Sequence, residues 1–243
     1  MAPNPDVSPH PSPRLPPGQR PVRGLPVLHY GGVPRIDPRS WSLRVFGLVE
    51  AEKTFTYDEI LSLPSSSRTV DIHCVTGWSR LDAAWTGIPV GELLRRAPPS
   101  PAATHVLVHA SGDWSTNLPI ADFSREDVLL AHSFDGKPLT PDHGYPLRLV
   151  VPHLYFWKSA KWLTGIEFAA TDVPGFWEKA GYHLRGDPWK EERYRDDPAW
   201  LLDESSDRIP SLFSTGGPIP CRERIRNLFR EIGGKAIIRY NNA

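Results

Sequence analysis

The hydrophobic pattern of the chain comes in short pieces. From Trp41 the run Trp-Ser-Leu-Arg-Val-Phe-Gly-Leu-Val alternates apolar with polar positions, the period of a half-buried strand. Thr56-Tyr-Asp-Glu59 sets a hydroxyl three residues before a carboxylate, the pattern of a capping box, and Ile60, Leu61 and Leu63 follow it. Pro64 stops the short helix this predicts. Residues 68–74 read as a strand that ends in a loop over 75–80. Residues 90–96 read as a short helix closed by Pro98-Pro99, and 104–110 alternate as a buried strand. Ser124-Arg-Glu-Asp127 predicts another short helix, carrying Val128, Leu129 and Leu130. Asp135-Gly136 signals a hairpin turn, and 147–152 and 161–169 are strands rich in branched and aromatic side chains. Short strands interrupted by short helices, without a βαβ rhythm, predict an α+β fold with mixed sheets.

This pattern is missing at both ends. Eleven of the 27 prolines fall in the first 38 residues, and each removes a backbone donor and fixes φ. Residues 1–24 are therefore expected to be a Pro-rich disordered arm, and 25–195 the folded domain. Residues 196–243 form an accessory tail, polar and Pro-interrupted at first. Ile225, Leu228, Phe229 and Ile232 then fall at i, i+3, i+4 and i+7, one face of an amphipathic helix that Gly233-Gly234 would end.

Charge and cysteine content narrow the function. Twenty-eight basic residues balance 28 acidic ones, which removes the strongest argument for a nucleic-acid partner. No apolar run approaches the ~18–20 residues of a membrane span. Arg14, Arg20 and Arg23 are scattered with no apolar stretch behind them, so a cytoplasmic location is expected. Cys74 and Cys221 cannot make a disulfide framework, which fits a reducing compartment or a special task for one thiol. The chain has no G-x-G-x-x-G, G-x-x-x-x-G-K, G-x-S-x-G or H-E-x-x-H. His105 and His109 would share one strand face but lack a third ligand, so a structural pair is the better reading. Cys74 ends a β-branched run beside His73 and opens a loop with Gly77, Trp78 and Arg80. By itself this is a small buried hydrophobe, or a thiol that nearby positive charge favours as thiolate.

Four segments in register alter that balance. They are Asp71-Ile-His-Cys-Val-Thr-Gly-Trp-Ser79 with Trp85-Thr-Gly-Ile-Pro-Val-Gly-Glu-Leu-Leu94; His143-Gly-Tyr-Pro-Leu-Arg-Leu-Val-Val-Pro152; Lys158-Ser-Ala-Lys-Trp-Leu-Thr-Gly-Ile-Glu167; and Val33-Pro-Arg-Ile-Asp-Pro-Arg-Ser-Trp41. Together they resemble the sulfite oxidase family of molybdopterin-dependent oxidoreductases, over about residues 25–195. The stretch from Gly175 to Tyr194 is similar to the ending of compact, single-domain bacterial members. The resemblance implies the family's α+β molybdopterin-binding domain and a molybdenum–pterin dithiolene cofactor. It implies oxygen-atom transfer on a small-molecule substrate, a sulfite-like anion or a sulfoxide or N-oxide, with electrons exchanged with a separate redox carrier protein.

By position within the resemblance, Cys74 would supply the thiolate to the metal, a soft ligand for a sulfur-rich site. Arg148 and Lys161 would hold the phosphate end of the pterin. His143, the amides of Ser159 and Ala160, and His29 with Tyr30 would contact the rest. Arg80 and His132 are expected near the substrate, His132 standing where the family places a Tyr. Basic residues around Arg185, Lys190 and Arg193 offer a landing site for an acidic carrier. The residues leave two other readings open: a pterin-binding protein without turnover, and a metal-free hydrolase using Cys74 with His73 or His109.

Overall fold

A computed structural model describes residues 14–195 and 236–239. In chain order the strands are β1 (Arg20–Pro21), β2 (Val27–Tyr30), β3 (Ser42–Gly47), β4 (Lys53–Thr56), β5 (Ser66–His73), β6 (Trp78–Pro89), β7 (His105–Ala110), β8 (Trp114–Pro119), β9 (Leu129–Phe134), β10 (Lys137–Pro138), β11 (Arg148–Val150), β12 (Leu163–Ala169) and β13 (Ala236–Arg239). Four short helices join them: α1 (Tyr57–Leu61), α2 (Val90–Arg96), α3 (Ile120–Phe123) and α4 (Phe176–Lys179). This is the mixed α+β architecture expected from the sequence. Among the described residues no helix is long and apolar enough to cross a membrane.

Two sheets carry the fold. The first runs β1-β6-β9-β10, with β5 on β6 and β11 on β9; the second runs β4-β3-β12-β7-β8 and is parallel only between β3 and β12. Successive residues of a strand point to opposite faces, and the first sheet uses both. Ile88, Leu130, Leu149 and Val151 enter one core; Trp78, Ala83, Trp85, Leu129, Ala131 and Val150 enter another. The second sheet closes the first core with Leu43, Val45, Val106, Val108, Ile166 and Phe168, all at most 1% exposed. The other core, rich in Trp and Tyr, adjoins the cavity described below.

Local chemistry explains the elements. Thr56 Oγ1 accepts from the Glu59 amide at 3.3 Å while Glu59 Oε2 accepts from the Thr56 amide at 2.7 Å, so the capping box forms and starts α1. Asp135 and Gly136 both take positive φ, 46° and 74°, which the tight turn from β9 to β10 requires. The helix expected at Ser124 is absent. Ser124 instead ends α3, whose entry is Pro119, and Leu129 begins β9. Both faces of β9 are buried at Leu129–Ala131, so its apolar run carries no strand period.

The chain also packs on the domain well before residue 25. Arg20 and Pro21 pair in parallel with Trp78 and Ser79. The amides of Arg20 and Val22 donate to Gly77 and Ser79 at 3.0 and 2.9 Å. Pro21 falls between the two donors, where its missing N–H costs nothing. Arg14 reaches Asp71 and Asp82, each at 2.6 Å. The arm expected to be disordered through residue 24 is therefore structured from at least Arg14. The amphipathic helix expected over 222–232 lies outside the described residues. Beyond it, β13 pairs antiparallel with β2.

Candidate active site

One cavity of about 330 Å³ gathers the loops at the aromatic core. Its wall includes His29 and Tyr30 from the end of β2, Cys74 from the β5–β6 loop, His143 and Arg148 from the approach to β11, and Ser159, Ala160 and Lys161 from the connection to β12. All eight residues expected to hold a cofactor thus face one space. Trp78, Trp114, Phe156, Trp157, Phe176, Trp177 and Tyr182 complete much of the remaining wall.

Cys74 is 8% exposed, and its Sγ accepts from Thr76 Oγ1 at 3.2 Å, with the Thr76 and Val75 backbone amides also turned to it. Burial pushes the thiol above its usual range, while the Thr76 hydroxyl and the Arg193 charge pull the other way. The short loop is tied by Gly77 N to Cys74 O at 2.9 Å, with Gly77 at φ 91° completing the turn. No histidine bonds this sulfur among the described residues. His73 Nδ1 meets Ser79 Oγ at 2.8 Å, and His109 lies on β7 with Nε2 2.8 Å from Glu167. The Cys–His hydrolase arrangement is therefore not assembled.

The cationic wall is unusual for what it lacks. Arg148 is 2% exposed; its guanidinium donates to the carbonyls of His143 and Ser159 at 3.1 and 2.8 Å and lies over Phe156 and Trp85 at 4.4 and 5.1 Å. Lys161 Nζ donates to the carbonyls of Leu28 and Asp142 at 2.8 and 2.9 Å. Neither cation meets a carboxylate among the described residues, and burial lowers both, Arg148 to about 9 and Lys161 to about 7. Burial and then these two neighbours bring His143 to about 4, so its ring is neutral at pH 7. Two buried cations with no ion pair among the described residues, only the more distant Asp142 carboxylate acting on Lys161, make a site for an anion. Gly144 sets this wall: at φ 104°, an added Cβ would lie 3.1 Å from the Cβ atoms of both Arg148 and Lys161.

Hydrogen bonding separates the other candidates. His29 Nδ1 donates to Gly31 O at 2.9 Å, which leaves Nε2 as an acceptor in the neutral ring. Ser159 spends its amide on Phe156 O at 3.1 Å and its hydroxyl on the Val151 amide at 2.9 Å. Its amide therefore offers the cavity no free donor, which corrects that expectation, while its hydroxyl oxygen accepts from Val151 and keeps its own proton to donate. The Ala160 amide has no acceptor among the described residues.

Residues 30–177 match the family model described as the oxidoreductase molybdopterin-binding domain. The chain belongs to this family. It is 49% identical over 182 residues to the uncharacterized oxidoreductase YuiH of Bacillus subtilis (strain 168), covering 74% of this chain and 92% of that one. It is 30% identical to the catalytic subunit MsrP, a protein-methionine-sulfoxide reductase of Ralstonia nicotianae, over 70% of this chain and 56% of that one. The mitochondrial sulfite oxidase of Drosophila melanogaster is 29% identical over 64% of this chain. The match spans 32% of that longer protein. The crystal structure of the sulfane dehydrogenase SoxCD from Paracoccus pantotrophus shares the fold. Its TM-score is 0.53 at 23% identity, over 58% of this chain and 41% of that chain.

This molybdopterin-family oxidoreductase departs from expectation at two positions. Arg80 and His132 are not on the cavity wall. Arg80 turns to Asp135 at 3.2 Å and to Leu81 O, and His132 to Ser133 and, at 3.4 Å, Ser65. The β6–β9 ladder shifts register at this point, Gly87 pairing with Ala131 and Thr86 with Ser133, so His132 is the unpaired residue of a bulge. The expected basic landing site is also largely consumed. Arg185 pairs with Asp122 at 2.8 Å and with Asp187 at 3.4 Å, and Arg193 turns inward to Val75 O. Trp177 and Tyr182 also line the cavity, a role sequence reasoning did not give them. Their aromatic spacing was visible, but the return of the chain to the cavity was not.

Proposed function

We propose that the protein is a molybdenum–molybdopterin oxidoreductase that transfers an oxygen atom on a small, neutral S-oxide or N-oxide, using electrons from a separate carrier. The observation that carries this reading is one cavity lined both by a buried thiol and by two buried cations that form no ion pair among the described residues. That donor set fits the group. Cys74 would bind the metal as thiolate, and Arg148 with Lys161 would hold the phosphate. His143, His29 and the Ala160 amide would bond the pterin. Such a cofactor supplies two-electron oxygen-atom exchange when bound. The aromatic wall excludes water and packs an apolar substrate. Two relatives bear names for sulfoxide reduction and sulfite oxidation, so direction and charge of substrate are the choices to make. With both cavity cations assigned to the cofactor and Arg80 paired outside, no Lys or Arg remains among the described residues of the wall to hold a sulfite-like dianion. Holoprotein assayed with dimethyl sulfoxide, trimethylamine N-oxide and sulfite, with artificial electron carriers, tests this choice. The proposal expects turnover on the neutral oxides at least tenfold above sulfite oxidation; the reverse ranking would overturn the substrate class.

A further inference from the structure

The Cys74 loop is held by parts of the chain that lie outside the segment matched by the family model, residues 30–177. From the N-terminal side, Gln19 Nε2 donates to Cys74 O at 3.0 Å. Gln19 Oε1 accepts from Ser79 Oγ at 3.2 Å, and Ser79 Oγ in turn meets His73 Nδ1. The Arg20 amide donates to Gly77 O. From the C-terminal side, the Arg193 guanidinium donates to Val75 O and, at 3.4 Å, to Pro17 O. Its guanidinium lies 5.0 Å from the Tyr155 ring centroid, and it is 12% exposed. Three carbonyls of the loop, those of Cys74, Val75 and Gly77, are thus engaged from two directions.

We propose that Arg193 and Gln19 are positioning residues for Cys74, bracing its loop so that the thiol is presented to the cavity. The inference rests on the reading of Cys74 as metal ligand for its purpose, but the brace itself is a property of the polypeptide. A loop carbonyl that loses a charged donor loses a stronger bond than a neutral one would provide. The brace also joins the two flanking segments to each other, through Arg193 and Pro17, over the loop they hold.

The test uses the full chain, first free of cofactor. Hydrogen–deuterium exchange of the 75–77 amides and alkylation of Cys74 at one fixed pH are compared in wild type, Arg193→Met, Arg193→Lys and Gln19→Leu. Arg185→Met is the control, in the same segment but paired to Asp122. Arg193→Met is expected to speed loop exchange and alkylation about tenfold, the loss of one charged hydrogen bond. Arg193→Lys is expected to recover part of the difference, and Gln19→Leu to reproduce it more weakly. In loaded protein, Arg193→Met is expected to shift the Mo(V) resonance lines. Unchanged exchange and alkylation in both Arg193→Met and Gln19→Leu would overturn the brace, as would an equal increase in Arg185→Met. If Arg193→Met fails to fold, Gln19→Leu alone decides by the same criteria. Absence of molybdenum from the wild type would sink the functional reading while leaving the exchange result to stand or fall separately.

Discussion

Lys161 shows how a single side chain reports on the cavity. Burial and the neighbouring Arg148 bring its ammonium from 10.5 down to about 7. Between those values the unfolded chain binds a proton that the folded, cofactor-free chain does not. Stability of that form therefore rises with pH from about 7 toward 10. Urea unfolding at several pH values should show this rise in wild type and a flatter dependence in Lys161→Met. An anion bound at the cavity reverses the preference, so the loaded protein should lose most of the slope. Arg148→Met should lower retained pterin about tenfold or more, as expected for losing a charge-assisted bond to a phosphate; undiminished retention would remove Arg148 from the anion site. Cys74, Arg148 and Lys161 could be placed on the cavity because each sits inside a segment that resembles the family. Arg80 and His132 could not: each stands at a register shift of its ladder, and a bulge re-aims a side chain in a way no sequence period records. Ser159 was placed correctly on the wall, but its bonds to Phe156 and Val151 follow from the turn it occupies.

At the scale of elements, the tie between α4 and the domain is a buried ion pair. Lys158 Nζ lies 2.6 Å from Glu178 Oε1, both side chains fully buried. That oxygen also accepts from Thr116 Oγ1 and Trp157 Nε1, each at 2.9 Å, and Lys158 reaches Asn117 and Leu184 carbonyls. Burial draws the Lys158 ammonium below its usual range, with Glu178 opposing that pull. Gly175 lets the helix approach: a Cβ there would sit 2.4 Å from Ser115 O. Lys158→Met leaves a carboxylate unpaired in the interior and should cost roughly 3–5 kcal/mol, read from denaturant midpoints. Lys158→Met combined with Glu178→Leu should cost less than the sum of the two single losses; an additive loss would show that the pair is not coupled. Helices α1 and α2 could be read from the sequence because each carries local signals. Strand β9 could not, since burial of both faces erases the alternation that identifies a strand. Likewise Pro21 argued against a strand, yet an outer strand with bonds on alternate residues accommodates it.

For the whole molecule, the two mixed sheets place a dry aromatic core beside one cavity. The chain beyond the matched family segment returns to that cavity from both sides. Composition and pattern indicated the fold class, and the resemblance to the family indicated most of the wall. What they did not show was long-range return: the 14–22 segment under the Cys74 loop and the aromatic residues after Gly175. Those contacts depend on tertiary closure, which no local period records. The central claim is that this cavity holds molybdenum through Cys74 and pterin through its cationic wall. Its most direct test is the molybdenum and released-pterin content of the full chain made in molybdate-supplied cells, wild type beside Cys74→Ser. The account predicts near-equimolar metal and pterin in the wild type, and pterin with lost or altered molybdenum in the variant. A folded wild type carrying neither, or a Cys74→Ser protein indistinguishable from wild type in metal content and signal, would contradict it.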